Sequence, residues 1–212
     1  MSFAPRRLSD PKDLRAIAHP LRIAILERLT IGGPLTATEL GDLLNESPAN
    51  CSWHLHKLAE HGFVTEAEGG AGRQRPWRAA HLGMQWDNAA ESMAAEPGSG
   101  EAESAAPNLP GSESSIVGKL LTRMLVEREI DRLWRALDRR SVEPTQWRDA
   151  GTVTQSMLWL TPEELAEINT AVKDLLLSKI ERVEDPTLRP DGARLCAFLA
   201  WGVPAFDLTE ES

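Results

Sequence analysis

Thr36-Ala37-Thr38-Glu39-Leu40-Gly41-Asp42-Leu43-Leu44-Asn45-Glu46-Ser47-Pro48-Ala49-Asn50-Cys51-Ser52-Trp53-His54-Leu55-His56-Lys57-Leu58 holds two helix starts at close range. Thr36 and Glu39 form a capping box, in which the threonine hydroxyl accepts from an amide of the first turn and the glutamate reaches back. That helix runs through Leu40, Leu43 and Leu44, and Asn45-Glu46 turns the chain. Ser47 caps the next helix, with Pro48 at its first position, where an absent N–H is no loss. Gly62 is placed to end it in the left-handed conformation. Along this second helix Cys51, Leu55, Leu58 and Ala59 share one stripe, assigned to the core. Ala49, Asn50, Ser52, Trp53, His56 and Lys57 share the opposite one.

The reading extends both ways from this pair. Upstream, Asp10 caps a helix that has Pro11 at its first position and ends at His19-Pro20. Leu21, Ile25 and Leu29 then share a face until Gly32-Gly33-Pro34 stops the run. Downstream, Phe63–Ala67 and Gln74–Ala80 read as two strands of a hairpin around Gly69-Gly70-Ala71-Gly72. Pro76 removes a ladder donor, which suits an edge strand. Three helices, a turn, a helix and a hairpin are the order of a winged helix-turn-helix, assigned to residues 8–86.

Residues 87–115 are rich in Ala, Pro, Gly, Ser and Glu and read as a flexible linker. Residues 116–208 read as a second module. Its first part, Ile116 to Leu137, has apolar residues at helical spacing. Thr152–Leu160 alternates as a strand, Arg194–Trp201 reads as a second strand that can pair with it, and Thr161-Pro162-Glu163-Glu164 opens a helix running to Ile180. The fold class expected is therefore mainly α with an α+β character: a winged domain, a long dimerisation helix and a small α+β module.

The chain has 212 residues and a net charge of −9, unevenly spread. Residues 1–85 hold ten Lys and Arg against nine Asp and Glu, a balance of +1, whereas residues 86–212 hold thirteen against twenty-three, a balance of −10. Only the first module suits an approach to phosphates, and the second should project away from them. No apolar run reaches the roughly 18 residues of a membrane span, and no signal peptide opens the chain, so a cytoplasmic protein without membrane contact is expected. Cys51 and Cys196 read as small buried hydrophobes rather than a disulfide. No glycine-rich phosphate loop, Gly-x-Ser-x-Gly elbow or His-Glu-x-x-His helix occurs, so no enzyme, cofactor or metal site is expected.

A helix of this kind enters the major groove with one face, and the candidate partner is double-stranded DNA. Asn50 can bridge the N6 and N7 edge of adenine, Ser52 can donate to a base or phosphate, and Trp53 can contact a thymine methyl or a sugar. Ala49 and His56 line the same face. Lys57 and the amides near Ser47 suit phosphate, as do Arg73, Arg75 and Arg78 on the wing. These residues, in a recognition helix at 47–61 and a wing at 66–78, are the candidate DNA-binding site. Plainer readings stand beside them. Trp53 can cover a neighbouring helix, the wing arginines can be solvated tip charges, and His54 can pack rather than read bases. Trp134, Trp147, Trp159 and Trp201 can line an effector pocket or simply fill a core.

Ala18-His19-Pro20-Leu21-Arg22, Ala37-Thr38-Glu39-Leu40, Ser52-Trp53-His54-Leu55 with Lys57-Leu58, and Gly62-Phe63-Val64 together resemble the ArsR-type winged helix regulators. Gly72-Arg73-Gln74-Arg75-Pro76-Trp77-Arg78 is similar to the wing of actinobacterial members, and Leu160–Leu165 resembles a C-terminal extension of some longer ones. The resemblance implies a homodimeric DNA-binding repressor, with Asn50, Ser52, Trp53 and His56 towards DNA. Metal-sensing relatives carry cysteines just after the Glu-Leu of the third helix. Here Gly41-Asp42 follows Glu39-Leu40, which removes that ligand set. A small-molecule-responsive sensor and a winged-helix protein-interaction module are the alternatives to a plain DNA-binding regulator.

Overall fold

A computed structural model describes residues 6–69, 75–81, 83–86 and 113–205. The chain divides into two compact units, Met1–Arg128 and Glu129–Ser212. It is mainly helical, as expected, with small two-stranded sheets confined to the first unit.

The first unit begins with β1 (Arg6–Leu8), α1 (Pro11–Ile17), α2 (Pro20–Gly32), α3 (Ala37–Leu44) and α4 (Pro48–Glu60). The caps are those the sequence requires. Asp10 Oδ1 accepts from the Lys12 amide at 2.8 Å, and Thr36 and Glu39 close a full capping box. Ser47 Oγ accepts from the Asn50 amide at 3.1 Å. At the far end of α4, Gly62 has φ +68°, the Phe63 amide donates to the Leu58 carbonyl at 2.9 Å, and the Gly62 amide donates to the Ala59 carbonyl at 2.9 Å. This Schellman arrangement satisfies the last carbonyls of the helix. One cap was not foreseen: His19 opens α2, its Nδ1 accepting from the Leu21 amide at 3.1 Å.

The turn between α3 and α4 is made by Asn45 in the left-handed region, φ 55°. A Cβ on Gly41 would lie 2.8 Å from the Glu46 carbonyl oxygen, so a glycine lets the chain fold back this tightly. The two helices close on a core of Leu14, Ile17, Ile25, Leu29, Leu40, Cys51, Leu55, Leu58 and Phe63, all buried.

β2 (Val64–Glu66) and β3 (Trp77–Ala79) form the antiparallel hairpin, with Thr65 opposite Arg78. It is shorter than the expected strands. Pro76 lies outside the ladder, but its carbonyl accepts from the Ala67 amide at 2.8 Å. Leu35 adds an antiparallel bridge to Trp77, with bonds of 2.9 and 2.8 Å, so the wing is tied to the segment before α3. β4 (Met84–Trp86) pairs in parallel with β1, a contact that no local pattern predicts. Arg6, on β1, donates to Asp13 Oδ2 and to the His61 carbonyl, each at 2.6 Å, and lies over the Phe63 ring. The N-terminal strand is thus fastened to both ends of the helical core.

α5 spans Glu113–Arg139. It starts inside the range read as linker, and Ser114 and Ser115 are buried. Within the first unit, Leu121 is fully buried in the core with Val117, Met124 and Leu125 packed beside it, and Arg128 donates twice to the Glu27 carboxylate at 2.8 and 2.6 Å. The opposite face, Ile116 and Leu120, is exposed.

The second unit continues α5 and adds α6 (Thr145–Ala150), α7 (Pro162–Leu177) and α8 (Glu181–Glu184), with short 3-10 turns at Arg140–Val142 and Pro186–Leu188. The capping box at Thr161 and Glu164 is present, but the helix ends at Leu177, before Ile180. Arg194 donates to Glu143 at 2.7 Å and stacks on Trp147. Two expectations are corrected. Thr152–Leu160 and Arg194–Trp201 lie outside any strand, because among the described residues neither finds a ladder partner in its own chain. Cys196 is exposed rather than packed. Trp134, Trp159 and Trp201 are exposed too, so within one chain they do not fill a core.

Candidate nucleic-acid interface

α4 sorts its side chains as its spacing requires. Cys51, Leu55 and Leu58 are fully buried, and Ala59 packs beside them. His54 joins this inner stripe at 4% exposure, its ring 4.6 Å from that of His19. His54 is therefore a packing residue, and its buried Nδ1 has no hydrogen-bond partner among the described residues. Burial is the main reason its pKa lies below the ordinary histidine value, with His19 and Arg22 adding to the effect.

The outer stripe faces away from the core. Ser47, Ala49, Trp53 and His56 are exposed, and Asn50, Ser52 and Lys57 are half-buried. Trp53 is 56% exposed and meets the His54 ring edge-on at 4.7 Å, so it does not serve as cover for a neighbouring helix. His56 Nδ1 lies 2.7 Å from the Ser52 carbonyl, and its ring contacts Trp77 of the wing at 5.4 Å. That ring contact links the outer face of α4 to β3. Asn50 Nδ2 donates to Glu46 Oε2 at 2.9 Å, leaving its second N–H and its carbonyl oxygen available.

The cations on this side are largely paired. Lys57 Nζ donates to Glu60 Oε2 at 2.8 Å, and Arg75 to Glu66 Oε2 at 2.6 Å. The Glu66 carboxylate raises the Arg75 pKa above its ordinary value. Arg78 donates to the Thr65 hydroxyl across the hairpin at 3.3 Å. Arg73 lies outside the described residues. Such exposed pairs contribute little to stability.

The sequence reading missed Glu46, whose carboxylate holds Asn50 at the start of the outer stripe. Its signal was present, since Glu46 and Asn50 stand at i and i+4, where side chains meet. No group of three or more His, Cys, Asp or Glu side chains that could hold a metal occurs among the described residues. No helix among them is long and apolar enough to cross a membrane.

With this geometry in place, the sequence pattern of a helix-turn-helix domain family matches residues 17–67, from the end of α1 to just past β2. No curated protein matches the chain.

Proposed function

We propose that the chain is a homodimeric, sequence-specific transcriptional regulator of the ArsR-like winged type, acting as a repressor. In this reading residues 8–86 bind DNA, residues 87–115 link, and residues 116–208 dimerise. The observation that carries it is the two-faced α4: a buried Cys51, Leu55 and Leu58 stripe fixes the helix, while the Asn50, Ser52, Trp53 and His56 stripe stands outward beside the wing. A helix so held presents its first turns to base edges. Asn50 reads adenine through its remaining N–H and carbonyl oxygen, Ser52 and His56 line the groove, and Lys57 turns from Glu60 to phosphate. Arg73, Arg75 and Arg78 hold the backbone beside the wing. The test is selection from random-sequence DNA by the full chain, with affinity followed against salt. A twofold motif with half-sites about one helical turn apart is expected. Arg75→Ala should weaken binding on all sequences and lower the salt slope by about 1. An unchanged slope would remove Arg75 from the interface.

A second reading, a winged protein-interaction module, is favoured by the pairing of Lys57 with Glu60 and Arg75 with Glu66, which reduces positive charge on the face. Salt-sensitive binding without any enriched motif would support it.

A further inference from the structure

The C-terminal unit has helices and extended segments without a cover. None of its described residues is fully buried. Trp159 is 94% exposed, Phe198 73% and Trp201 66%, with Val153, Met157, Leu158, Leu195 and Val203 similarly open. With about 150–250 Å² for an aromatic side chain, these residues together expose on the order of 1,000 Å². A standard stable interface needs roughly 800 Å² per partner.

Their pattern specifies the form of cover. In residues 152–160, Val153, Gln155, Met157 and Trp159 alternate with Thr152, Thr154, Ser156 and Leu158. The first segment thus has the two-residue period of a pleated strand. Residues 195–203, Leu195 to Val203, are instead apolar throughout, as in a strand covered on both faces. Yet the backbone of neither segment hydrogen-bonds to another backbone group among the described residues, although the Gly202 carbonyl accepts from Asn169 Nδ2 of α7 at 3.2 Å. An extended apolar segment with open N–H and C=O groups is a template for another strand.

Charge selects the partner. Residues 129–212 hold ten Lys and Arg against sixteen Asp and Glu, a balance of −6. Two copies of such a unit repel wherever their carboxylates meet, so a self-interface has to fall where charge is missing. Residues 152–160 and 195–203 carry no charged side chain. A basic partner would instead seek the carboxylates and leave these two segments bare.

We propose that a second copy of this chain covers them. Residues 152–160 and 195–203 of one copy pair in an intermolecular sheet with the same segments of the other, about a twofold axis, and the C-terminal unit gains its core only in the dimer. This rests on the homodimer reading above and adds where the copies meet. An isologous contact lets one surface serve both copies.

The experiment is amide hydrogen exchange on the full-length protein above and below its dimer dissociation constant, alongside sedimentation equilibrium of wild type, Phe198→Asp and Gln155→Pro. Amides of 152–160 and 195–203 should be protected at high concentration and lose that protection on dilution, while α4 amides hold theirs. Each variant should raise the dimer dissociation constant at least tenfold. Both side chains are exposed in a single chain, so a lone chain should tolerate them. A dimer whose two segments exchange freely, or whose constant neither variant changes, overturns the sheet and leaves the dimeric regulator standing. A full-length monomer whose selected DNA motif lacks twofold symmetry overturns both. The wild-type exchange comparison decides the matter even where a variant fails to fold.

Discussion

The side-chain amide of Asn50 is held by the Glu46 carboxylate, Nδ2 to Oε2 at 2.9 Å, across the turn that opens α4. The contact fixes the amide and leaves Asn50 one N–H and its carbonyl oxygen, the pair that would meet adenine in the proposed reading. It also sets a negative charge where phosphates would approach. Orientation and repulsion therefore come from one residue.

Glu46→Gln separates the two effects, since glutamine keeps an acceptor and loses the charge. Binding should tighten several-fold on all sequences at low salt, with the gain shrinking as salt screens it. The preferred base at the Asn50 position should stay. Asn50→Ala should instead relax that one base step by about 1–3 kcal/mol. Affinity titrations on the selected motif and its single-base variants read both outcomes. A Glu46→Gln protein that loses base preference would mean the charge itself orients Asn50.

Gly41→Ala should destabilise the first unit by about 1–3 kcal/mol, because its Cβ would meet the Glu46 carbonyl oxygen at 2.8 Å, a backbone atom with little room to give. Gly32→Ala is the control: its Cβ would find only Leu35 Cδ1 at 3.8 Å, and a change within about 0.5 kcal/mol is expected. Urea midpoints of the two variants make the comparison. Equal losses would show that the turn has slack.

Stability should depend on pH through His54 and His19. Burial lowers both imidazole pKa values, with His19 and Arg22 acting further on His54 against Glu46, and Arg22 acting further on His19. Between those lowered values and the unfolded value of about 6.5, the unfolded chain binds more protons than the folded one. This contribution is complete above about pH 6.5 and is lost as pH falls from there through the lowered folded-state values. Denaturant midpoints at pH 7.5 and 5.5 should differ less in His54→Gln than in wild type. An unaltered difference would exclude His54 as a source.

Leu121 and Leu120 are neighbours on α5 with opposite surroundings, one fully buried and the other half exposed. Leu121→Ala should cost about 2–5 kcal/mol by leaving a cavity in the first unit. Leu120→Ala should leave the stability of a lone chain nearly unchanged. Thermal melts at low concentration measure both, and a cheap Leu121→Ala would mean that α5 is not part of that core.

The helix-turn-helix was legible because its determinants are local. The Thr36–Glu39 box, Ser47-Pro48 and Gly62 each fix a helix end through groups a few residues apart, and Cys51, Leu55 and Leu58 fix the buried face by spacing alone. His19 as a cap was missed because it is a rare residue there, and β1–β4 because the partners stand far apart in sequence. Among the site residues, spacing placed Asn50, Ser52, Trp53 and His56 outward. The i, i+3 spacing also allowed the Lys57–Glu60 pair, but spacing could not show that Arg75 leans on Glu66 across the hairpin, since that pair meets only once the strands are folded.

The sequence by itself determined the order of helices, their ends, the two faces of α4, the alternation of residues 152–160 and the apolar run of 195–203. Those follow from hydrogen bonds and periodicities that act within a few residues. Only the tertiary structure decided that α5 gives Leu121 to the first core, that His54 turns inward against His19, and that the two apolar segments find no ladder among the described residues of their own chain. Alternation states that a strand needs a neighbour. Which neighbour, and from which chain, depends on contacts between residues distant in sequence, and no local pattern encodes those.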